Sequence, residues 1–506
     1  MHPLAKLDQR FLWHPFTQMR DWLAQEPTVI VSGKGATLRD VRGRQYLDAN
    51  SSIWTNLHGH AHPAVNRAIE AQLAKIAHSS ALGLANEPAT YLGKRLVEAA
   101  AQTQSGLARP PKLNKVFFSD DGSTATEVAL KLAYEFARRT TGTRSPRFLS
   151  LAGAYHGDTV GAVSLGHIDL FHKAYGGLLF RSDQVMAPYC YRCPFNRAKP
   201  QRADAREYRK CRWECIDKVE ARLAAQARRG NPYAAMVVEP LIQGAAGMIA
   251  HPRGWLRRTS ELVRAFGAQL IADEVLTGFG RTTAPRPEAG PSSNARTAKR
   301  SPAPAEPARD RDPATPSDGD LLFACQKEEV VPDFLVLAKG LTGGYLPMGA
   351  TLTTQNVFDA FLGEYQEFKT FFHGHSYTAN QLGAAAGLAS LDLLQAPAHA
   401  RRRENLAAKL QEELAHLWRL PAVGDIRQVG LIAGIELVRD SRTRTPYELR
   451  ERVGIRVCEA MARRGVLTRP VGSVIVLIPP YCTTHTQIER TVQVLGEAIE
   501  ETLRVK

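Results

Sequence analysis

Short apolar runs, each ending in a polar or charged residue, recur along the first two thirds of the chain. They do not alternate between apolar and polar positions, which is typical of parallel strands buried on both faces. The runs are Lys115–Asp120, Arg147–Ala152, Ala234–Glu239, Ala268–Asp273 and Phe334–Lys339. Helical patterns lie between them, as at Ser123–Arg139 and Arg253–Phe266. The alternation predicts an α/β fold whose large domain has a mostly parallel sheet flanked by helices.

The last third of the chain has a different pattern, with helical stretches beside short apolar strands. The stretches are Asn405–Leu417 and Leu449–Arg464, and the strands are Leu431–Leu437 and Val474–Ile478. This pattern predicts a smaller α+β domain. We therefore expect an N-terminal arm that also forms part of the small domain, a large domain and a small C-terminal domain, at residues 1–60, 61–385 and 386–506.

One segment, residues 283–320, interrupts the large domain. It is rich in Pro, Ala, Ser and charged residues and has no apolar periodicity, so we expect a disordered surface insertion. Spacing supports this prediction, since Asp273 and Lys339 are 339 − 273 = 66 positions apart. Without about 37 inserted residues, about 29 remain, which suits one helix-and-strand crossover in a parallel sheet.

Composition and charge narrow the class of protein. Among 506 residues, 44% are hydrophobic and 23% are charged, which excludes a wholly disordered or fibrous chain. No apolar run approaches the ~18 residues of a membrane span, and the N-terminus has no secretory signal pattern, so we expect no membrane association. Seven cysteines in such a chain favour reduced thiols and a cytoplasmic location.

The net charge of +15 leaves two interpretations open, an anionic partner such as nucleic acid or a solvated Arg-rich surface. Between Cys190 and Gly230 there are 12 Lys and Arg against 5 Asp and Glu, a local excess of 12 − 5 = +7. This segment has no nucleic-acid-binding module, so we expect no nucleic-acid partner. The solvated surface is the favoured interpretation.

Four cysteines in the same basic segment have a paired spacing. Cys190 and Cys193 are followed by Cys211 and Cys215, which resembles a four-thiolate zinc site in ligand number and pairing. The alternative is a loop with neighbouring free thiols. We expect no metal among the residues of the functional site.

Candidate chemistry lies where the apolar runs end, because ligands bind at the carboxyl ends of parallel strands. Gly122 and Ser123 follow one run and begin a helix, where backbone N–H groups favour a phosphate. Asp273 ends another run, where a nearby cation would keep the carboxylate charged. Lys339 follows a third run, where burial lowers the pKa of an amine, as a Schiff-base lysine requires.

A phosphate turn, an aspartate and a lysine in this order at the strand ends of a parallel sheet together describe pyridoxal phosphate binding. In these features the chain resembles the class III aminotransferases, which are fold type I enzymes dependent on pyridoxal 5′-phosphate. The resemblance covers roughly residues 10 to 500 apart from the insertion. The matching motifs are Gly122-Ser123, Tyr155-His156-Gly157, Ala272-Asp273-Glu274-Val275, Thr277-Gly278-Phe279-Gly280-Arg281, Phe334–Gly340 and Gly374-His375-Ser376-Tyr377.

The resemblance implies a role for each matching cofactor residue. Lys339 would hold the cofactor covalently and move protons, Asp273 would pair with the ring nitrogen, and Tyr155 would stack on the ring. Gly122 and Ser123 would bind the phosphate. His375 and Ser376 would reach the phosphate in a neighbouring subunit, so the resemblance also implies a homodimer with active sites at the interface.

The N-terminal Trp13–Met19 with Trp22, together with Ser51–Trp54, resembles the branch of this family that converts 8-amino-7-oxononanoate to 7,8-diaminononanoate in biotin synthesis. Carried over from that branch, Arg469 would bind the substrate carboxylate and Asp158 would lie near the substrate amine. Phe16, Ile53, Trp54 and Gly374 would shape an apolar channel.

Two further questions stay open in this branch. One well-known group has Tyr at the position of Phe16, Trp at Ile53, and Pro-Thr at His375-Ser376. Because Phe16 and Ile53 line the region where donors are discriminated, S-adenosylmethionine and lysine both remain candidate amino donors. The alternative function is another ω-aminotransferase that acts on diamines or β-amino acids with a keto acid.

Overall fold

The computed structural model describes residues 1–102, 111–198, 205–207, 209–285 and 318–503. Most of the predicted insertion, residues 286–317, therefore lies outside the described residues. Within the described part of the chain, no helix is long and apolar enough to cross a membrane.

The described residues form α-helices, 3₁₀ turns and strands along their whole length. The helices are α1 (Pro3–Phe11), α2 (Met19–Leu23), α3 (Ser51–Trp54), α4 (Pro63–Leu73), α5 (Glu87–Ala101), α6 (Gly122–Thr141), α7 (Val160–Ser164), α8 (Asp169–His172), α9 (Glu214–Arg228), α10 (Trp255–Ala265), α11 (Gln355–Asp359), α12 (Gln381–Gln395), α13 (Pro397–Ala415), α14 (Val453–Arg463) and α15 (His485–Leu503). The 3₁₀ turns are Lys173–Leu178, Cys190–Arg192, Cys325–Glu328, Lys339–Thr342, Tyr365–Glu367, His416–Arg419 and Leu449–Glu451.

The strands are β1 (Ile30–Lys34), β2 (Thr37–Asp40), β3 (Gln45–Asp48), β4 (Leu113–Ser119), β5 (Arg147–Leu151), β6 (Asp183–Val185), β7 (Tyr233–Val238), β8 (Ile242–Gln243), β9 (Ile249–Ala250), β10 (Gln269–Asp273), β11 (Phe334–Leu337), β12 (Gly349–Thr354), β13 (Val423–Val429), β14 (Ile432–Asp440), β15 (Thr445–Pro446), β16 (Val466–Leu467), β17 (Pro470–Val471) and β18 (Val474–Leu477).

A seven-stranded sheet in the order β4-β12-β11-β10-β7-β5-β6 carries the large part of the fold. Its strands run parallel except β12, which is antiparallel to both of its neighbours. All five predicted apolar runs are strands of this sheet. The α/β prediction is therefore confirmed, while β6 and β12 were not among the predicted strands.

The apolar runs form strands because both of their faces are covered. Every residue of β7, β11 and β12 is buried. Val237, Ile271 and Val336 pack with residues of α6 in one core cluster. Their neighbours Met236 and Leu335 belong to a second cluster on the opposite face. This alternation between two apolar clusters accounts for continuous rather than alternating hydrophobicity.

Two smaller sheets bring the two ends of the chain together. The sheet β1-β2-β3-β16 joins the N-terminal strands to the last third of the chain, with Val466 opposite Leu47 in a parallel pair. The sheet β13-β14-β18-β17 contains both strands predicted for the last third, and β15 pairs with β14. The three-part division at residues 60 and 385 remains a prediction.

Helix ends differ from the predicted ones where capping decides them. The helix predicted from Asn405 begins earlier, because Pro397 occupies its first turn, where the missing N–H has no cost. The helix predicted from Leu449 begins at Val453, after a separate 3₁₀ turn and Arg452, which has a left-handed φ of 55°.

Candidate active site

A cavity of about 480 Å³ opens at the carboxyl edge of the central sheet. Six of the predicted site residues line it, namely Trp54, Gly122, Ser123, Tyr155, Asp273 and Lys339. A larger groove of about 810 Å³ lies along α6 and the segment around Phe371, and none of the predicted site residues line it. Candidate chemistry is therefore concentrated in the smaller cavity.

Strand register explains why distant residues meet in this cavity. Asp273 lies opposite Val336, and Ala272 lies opposite Val238. The chain that continues past each of these parallel strands therefore emerges at one edge of the sheet. Glu239 follows Val238 directly, and Lys339 lies three positions after Val336. The expectation that the strand ends bring charged residues together is confirmed for Asp273, Glu239 and Lys339, which all line the cavity, whereas Asp120 does not line it.

Lys339 is held at the inner wall of the cavity in an uncommon backbone conformation. Its φ is 30°, a left-handed value that L residues rarely adopt outside constrained sites. Burial lowers the pKa of the Lys339 amine to about 8, although the charges of Asp273 and Glu239 oppose this shift. More of this amine is therefore neutral near pH 7 than in an ordinary lysine with a pKa of 10.5, which favours its use as a nucleophile.

Asp273 is fixed by two hydrogen bonds. His156 Nδ1 donates to Asp273 Oδ2 at 2.7 Å, and the backbone N–H of Val275 donates to Oδ1 at 3.0 Å. Burial alone would lower the pKa of His156, but the hydrogen bond and charge of Asp273 outweigh burial and raise it. The pair therefore presents a buried carboxylate whose orientation is set before any ligand arrives.

The start of α6 has the geometry of an anion-binding turn. Asp121 caps the helix, accepting from the N–H of Thr124 at 2.8 Å, while the Thr124 hydroxyl accepts from the N–H of Asp121 at 2.9 Å. The N–H groups of the first turn at Gly122 and Ser123 have no intrahelical partners. The two residues line the cavity, so their N–H groups are available to an anion there.

Gly157 brings a second loop against this turn. A Cβ on Gly157 would lie 2.1 Å from Ser123 Oγ, and its φ of 122° strains any other residue. Ser123 Oγ in turn accepts from the N–H of Asp158 at 3.1 Å. The Tyr155 hydroxyl donates to Asp158 Oδ2 at 2.6 Å, so Asp158 is hydrogen-bonded to two residues of the cavity lining, Tyr155 and Ser123.

Glu239 is a second buried acid of the cavity, beside Asp273. Burial raises its pKa to about 7, although the nearby His156 and the N–H of Gly244, at 2.8 Å from Oε2, oppose this shift. A carboxyl group with this pKa can hold or release a proton near neutral pH. The sequence placed Glu239 at a strand end but assigned it no role.

The remaining predicted site residues lie outside the cavity lining. Phe16 is 62% exposed and reaches the site indirectly, since its ring and that of Tyr155 both contact Phe171. His375 Nδ1 lies 3.4 Å from Asp120 Oδ2. Among these predicted site residues, the others that are exposed are Ile53, Asp158, Gly374, Ser376 and Arg469. Their substrate and cofactor roles remain predictions.

The four paired cysteines lie near one another, since, besides burial, neighbouring thiols of the set raise the pKa of Cys190 and Cys215. No group of three or more His, Cys, Asp or Glu side chains among the described residues is placed to hold a metal ion. Cys190, Cys193, Cys211 and Cys215 are free thiols. Burial, and then the neighbouring thiols of this set, raise the pKa of both Cys190 and Cys215 to about 12. The zinc site and the loop with neighbouring free thiols both stay predictions.

This fold and this cavity place the protein among the fold type I enzymes that depend on pyridoxal 5′-phosphate. The model of the family "Aminotransferase class-III" matches residues 20–284 and 319–499. The chain therefore belongs to the class III aminotransferase family. The interruption of the match falls within the predicted insertion.

Curated relatives share both length and sequence with this chain. The adenosylmethionine-8-amino-7-oxononanoate aminotransferase of Geobacter sulfurreducens is 44% identical over 496 residues, 98% of this chain and 97% of its own. The enzyme of the same name from Nitratidesulfovibrio vulgaris is 44% identical over 498 residues, 98% of this chain and 81% of its own.

A solved structure agrees with the fold as a whole. The crystal structure of adenosylmethionine-8-amino-7-oxononanoate aminotransferase from Methanocaldococcus jannaschii superposes with a TM-score of 0.82. It is 36% identical, and the match covers 98% of each chain.

The residues of the cavity fit pyridoxal 5′-phosphate. Lys339 supplies an amine for an aldehyde, Asp273 a buried anion for a ring nitrogen, and the α6 start donors for a phosphate. Sequence reasoning assigned no role to His156 or Asn50, whose side chains orient Asp273 and Trp54. For His156 the signal was present, since it lies inside the Tyr155-His156-Gly157 motif.

Proposed function

We propose that this enzyme transfers an amino group to 8-amino-7-oxononanoate, giving 7,8-diaminononanoate in biotin biosynthesis. The observation that carries this proposal is the 44% identity, over 98% of the chain, to relatives that bear this activity in their names. The cavity supports it, since Trp54 adds an apolar wall beside Lys339 for a substrate with a long carbon chain.

Bound pyridoxal 5′-phosphate supplies an electron-withdrawing ring that stabilises negative charge on the carbon next to the amine. Asp273 would hold a proton on the ring nitrogen of the bound cofactor, and His156 keeps the Asp273 carboxylate in one orientation. Lys339, with its lowered pKa, alternates between neutral and protonated amine and so moves the proton that transfer requires.

Gly122 and Ser123 would bind the phosphate through their backbone N–H groups and the Ser123 hydroxyl, since both residues line the cavity. Tyr155 lies in the cavity lining with its hydroxyl tied to Asp158, so its ring is available to stack on the cofactor. Glu239 provides a second proton-holding group in the same cavity, since burial raises its pKa to about 7.

For the amino donor, the proposal is S-adenosylmethionine, supported by the names of the relatives. A purified-enzyme assay tests donor and acceptor together, with 7,8-diaminononanoate measured by mass spectrometry. S-Adenosylmethionine with 8-amino-7-oxononanoate should give product, and Lys339→Ala should give none. Product only with lysine would overturn the donor assignment, and turnover only between a diamine and a keto acid would overturn the acceptor.

The active unit of the proposal is a homodimer. Leu82 is 92% exposed and Leu84 is 63% exposed, and Tyr377, beside Ser376, is 62% exposed. The two stretches lie side by side, since His78 Nε2 donates to the carbonyl of Ser376 at 2.8 Å. An apolar patch of this kind on a folded protein is typical of a surface covered by another chain.

Light scattering coupled to size-exclusion chromatography tests the dimer. Wild type should elute as a dimer, and Leu82→Glu should shift it toward monomer with loss of turnover. A fully active monomeric wild type would contradict the proposed dimer.

The proposed location is the cytoplasm, supported by seven cysteines that are all free thiols.

A further inference from the structure

The turn that carries Trp54 has a left-handed backbone. Ser51, Ser52, Ile53 and Trp54 have φ values of 48°, 49°, 63° and 71°. L residues adopt this conformation singly and almost never in a run, because Cβ then approaches the next carbonyl oxygen. A run of four with no glycine persists only where the surroundings hold it in place, and such strain clusters at functional sites.

Asp48 is the main support of this turn. Its Oδ1 accepts from the Ser52 N–H at 3.0 Å, and its Oδ2 accepts from the Ser52 hydroxyl at 2.9 Å. His60 Nε2 lies 3.0 Å from the same Oδ2. On the other side, the Ser51 hydroxyl donates to the carbonyl of Ile478 at 2.6 Å. The turn is thus fixed at both of its serines.

The turn presents the Trp54 indole to Lys339. The Lys339 Nζ lies 4.6 Å from the centroid of the indole, within the range of a cation–π contact. The indole also packs beside Gly244, where an added Cβ would come within 3.3 Å of the ring.

One side chain fixes the orientation of this ring. The indole Nε1–H donates to Asn50 Oδ1 at 2.8 Å, and Asn50 is only 4% exposed. Asn50 is itself held to Asp48, whose Oδ1 accepts from its backbone N–H at 3.3 Å. Asn50 is absent from the cavity lining, so it acts on the site through Trp54.

We propose that Asn50 is a positioning residue that locks the Trp54 indole over the amine of Lys339. The inference rests on the proposed transaminase function, in which Lys339 is the reacting amine. It assigns the left-handed turn a purpose, since the turn brings the indole to the amine and Asn50 prevents the ring from rotating away. A protonated Lys339 is stabilised by the ring, so loss of the lock favours the neutral amine.

A double-mutant cycle in the holoenzyme tests this coupling. Asn50→Leu removes the acceptor at similar volume, and Trp54→Phe removes the donor but keeps a ring. Asn50→Leu should lower kcat/KM by about fivefold, the usual effect of one lost hydrogen bond. In the Trp54→Phe background, Asn50→Leu should cause no further loss. Asn405→Leu, at an exposed asparagine, is the matched control and should behave as wild type.

A second readout needs no turnover. The pH midpoint of the absorbance change of the bound cofactor, measured without substrate, should fall in Asn50→Leu and in Trp54→Phe, with no further fall in the double variant. If Asn50→Leu folds poorly, Asn50→Gln serves as the second variant. Because Gln keeps an amide oxygen, its midpoint should lie closer to that of wild type.

Two results would overturn the inference. One is additivity, in which Asn50→Leu causes the same loss with and without the Trp54 indole. The other is wild-type behaviour of Asn50→Leu in both readouts. Failure of the proposed function appears differently, as wild-type enzyme without transamination, while the absorbance midpoints would still report on the coupling.

Discussion

His156 Nδ1 lies 2.7 Å from Asp273 Oδ2, and both side chains are buried. The bond joins the loop after β5 to the end of β10, so two separate strand ends fix one carboxylate. Since this carboxylate is the predicted partner of the cofactor ring, its orientation should govern cofactor binding.

His156→Asn should therefore weaken binding of pyridoxal 5′-phosphate and slow turnover. A hydrogen bond to a charged group contributes about 1.5–3 kcal/mol, so we expect a decrease of about 10- to 100-fold in affinity. Equilibrium titration of the cofactor-free protein with pyridoxal 5′-phosphate measures this affinity. His485→Asn, at an exposed histidine, is the control. Unchanged affinity in His156→Asn would show that the bond does not orient Asp273 for the cofactor.

The lowered pKa of Lys339 predicts a pH-dependent stability of the cofactor-free protein. The pKa of Lys339 falls from 10.5 to about 8 on folding, so the unfolded chain binds more protons between these values. Below pH 8 the folded protein bears the full cost of this burial, about 3 kcal/mol, and the cost disappears as the pH rises toward 10.5.

Urea unfolding of cofactor-free Lys339→Met measures this cost. Apart from any difference that is constant with pH, the free energy of unfolding of the variant should exceed that of wild type by about 3 kcal/mol at pH 7. At pH 10 this excess should fall to about 1 kcal/mol. Lys94→Met, at a lysine whose side chain is 70% exposed, should show no such trend. A stability difference that is constant with pH would contradict the lowered pKa.

Glu239 should tune the reactivity of Lys339. The charge of Glu239 raises the pKa of the Lys339 amine, in opposition to the burial that dominates. Glu239→Gln keeps the shape of the side chain but removes this charge, so more of the lysine is neutral at pH 7. We expect pyridoxal 5′-phosphate to associate faster with the cofactor-free variant, and the pH midpoint of the association rate to move downward.

Stopped-flow absorbance across pH 6 to 9 follows this association. Glu70→Gln, at an exposed position on α4, is the control and should match wild type. If Glu239→Gln moved the midpoint upward, the carboxylate would not stabilise the ammonium form of Lys339.

The described residues on either side of the insertion lie close together. The N–H of Ala284 donates to Asp318 Oδ2 at 2.7 Å, and Lys327 Nζ donates to the same oxygen at 2.7 Å. Gly319 continues into the fold, since its N–H donates to Glu404 Oε1 at 3.1 Å. The segment between these contacts can therefore be shortened without moving its ends.

Replacing residues 286–317 by a short Gly-Ser link should leave turnover and cofactor affinity within about twofold of wild type. Extending the deletion to residues 284–319 should lower the thermal midpoint, because Lys327 loses its carboxylate partner Asp318. Loss of cofactor binding in the shorter deletion would assign the segment a role in the site.

Much of the cavity could be predicted because it depends on the periodicity of the sheet. Buried strands end in polar residues, so Asp273 and Lys339 were identifiable from their apolar runs, and Gly122 from the turn before a helix. The antiparallel β12 was not predicted, because its sequence Gly-Ala-Thr-Leu-Thr-Thr is not an apolar run, although every residue of it is buried.

The contact between Trp54 and Lys339 could not be predicted in this way. It depends on a left-handed turn without glycine, which no residue pattern indicates, and on acceptors at Asp48 and Asn50 that resemble ordinary turn residues. Ser376 and Arg469 are exposed and lie outside the cavity lining, so their assigned roles remain predictions.

The central claim is that this chain moves an amino group onto 8-amino-7-oxononanoate. The most direct measurement uses S-adenosylmethionine labelled with ¹⁵N at its amino group, with mass spectrometry of the product. The account predicts one ¹⁵N in 7,8-diaminononanoate from wild-type enzyme and no product from Lys339→Ala. Absence of labelled product from cofactor-saturated wild type, or equal label transfer by Lys339→Ala, would contradict it.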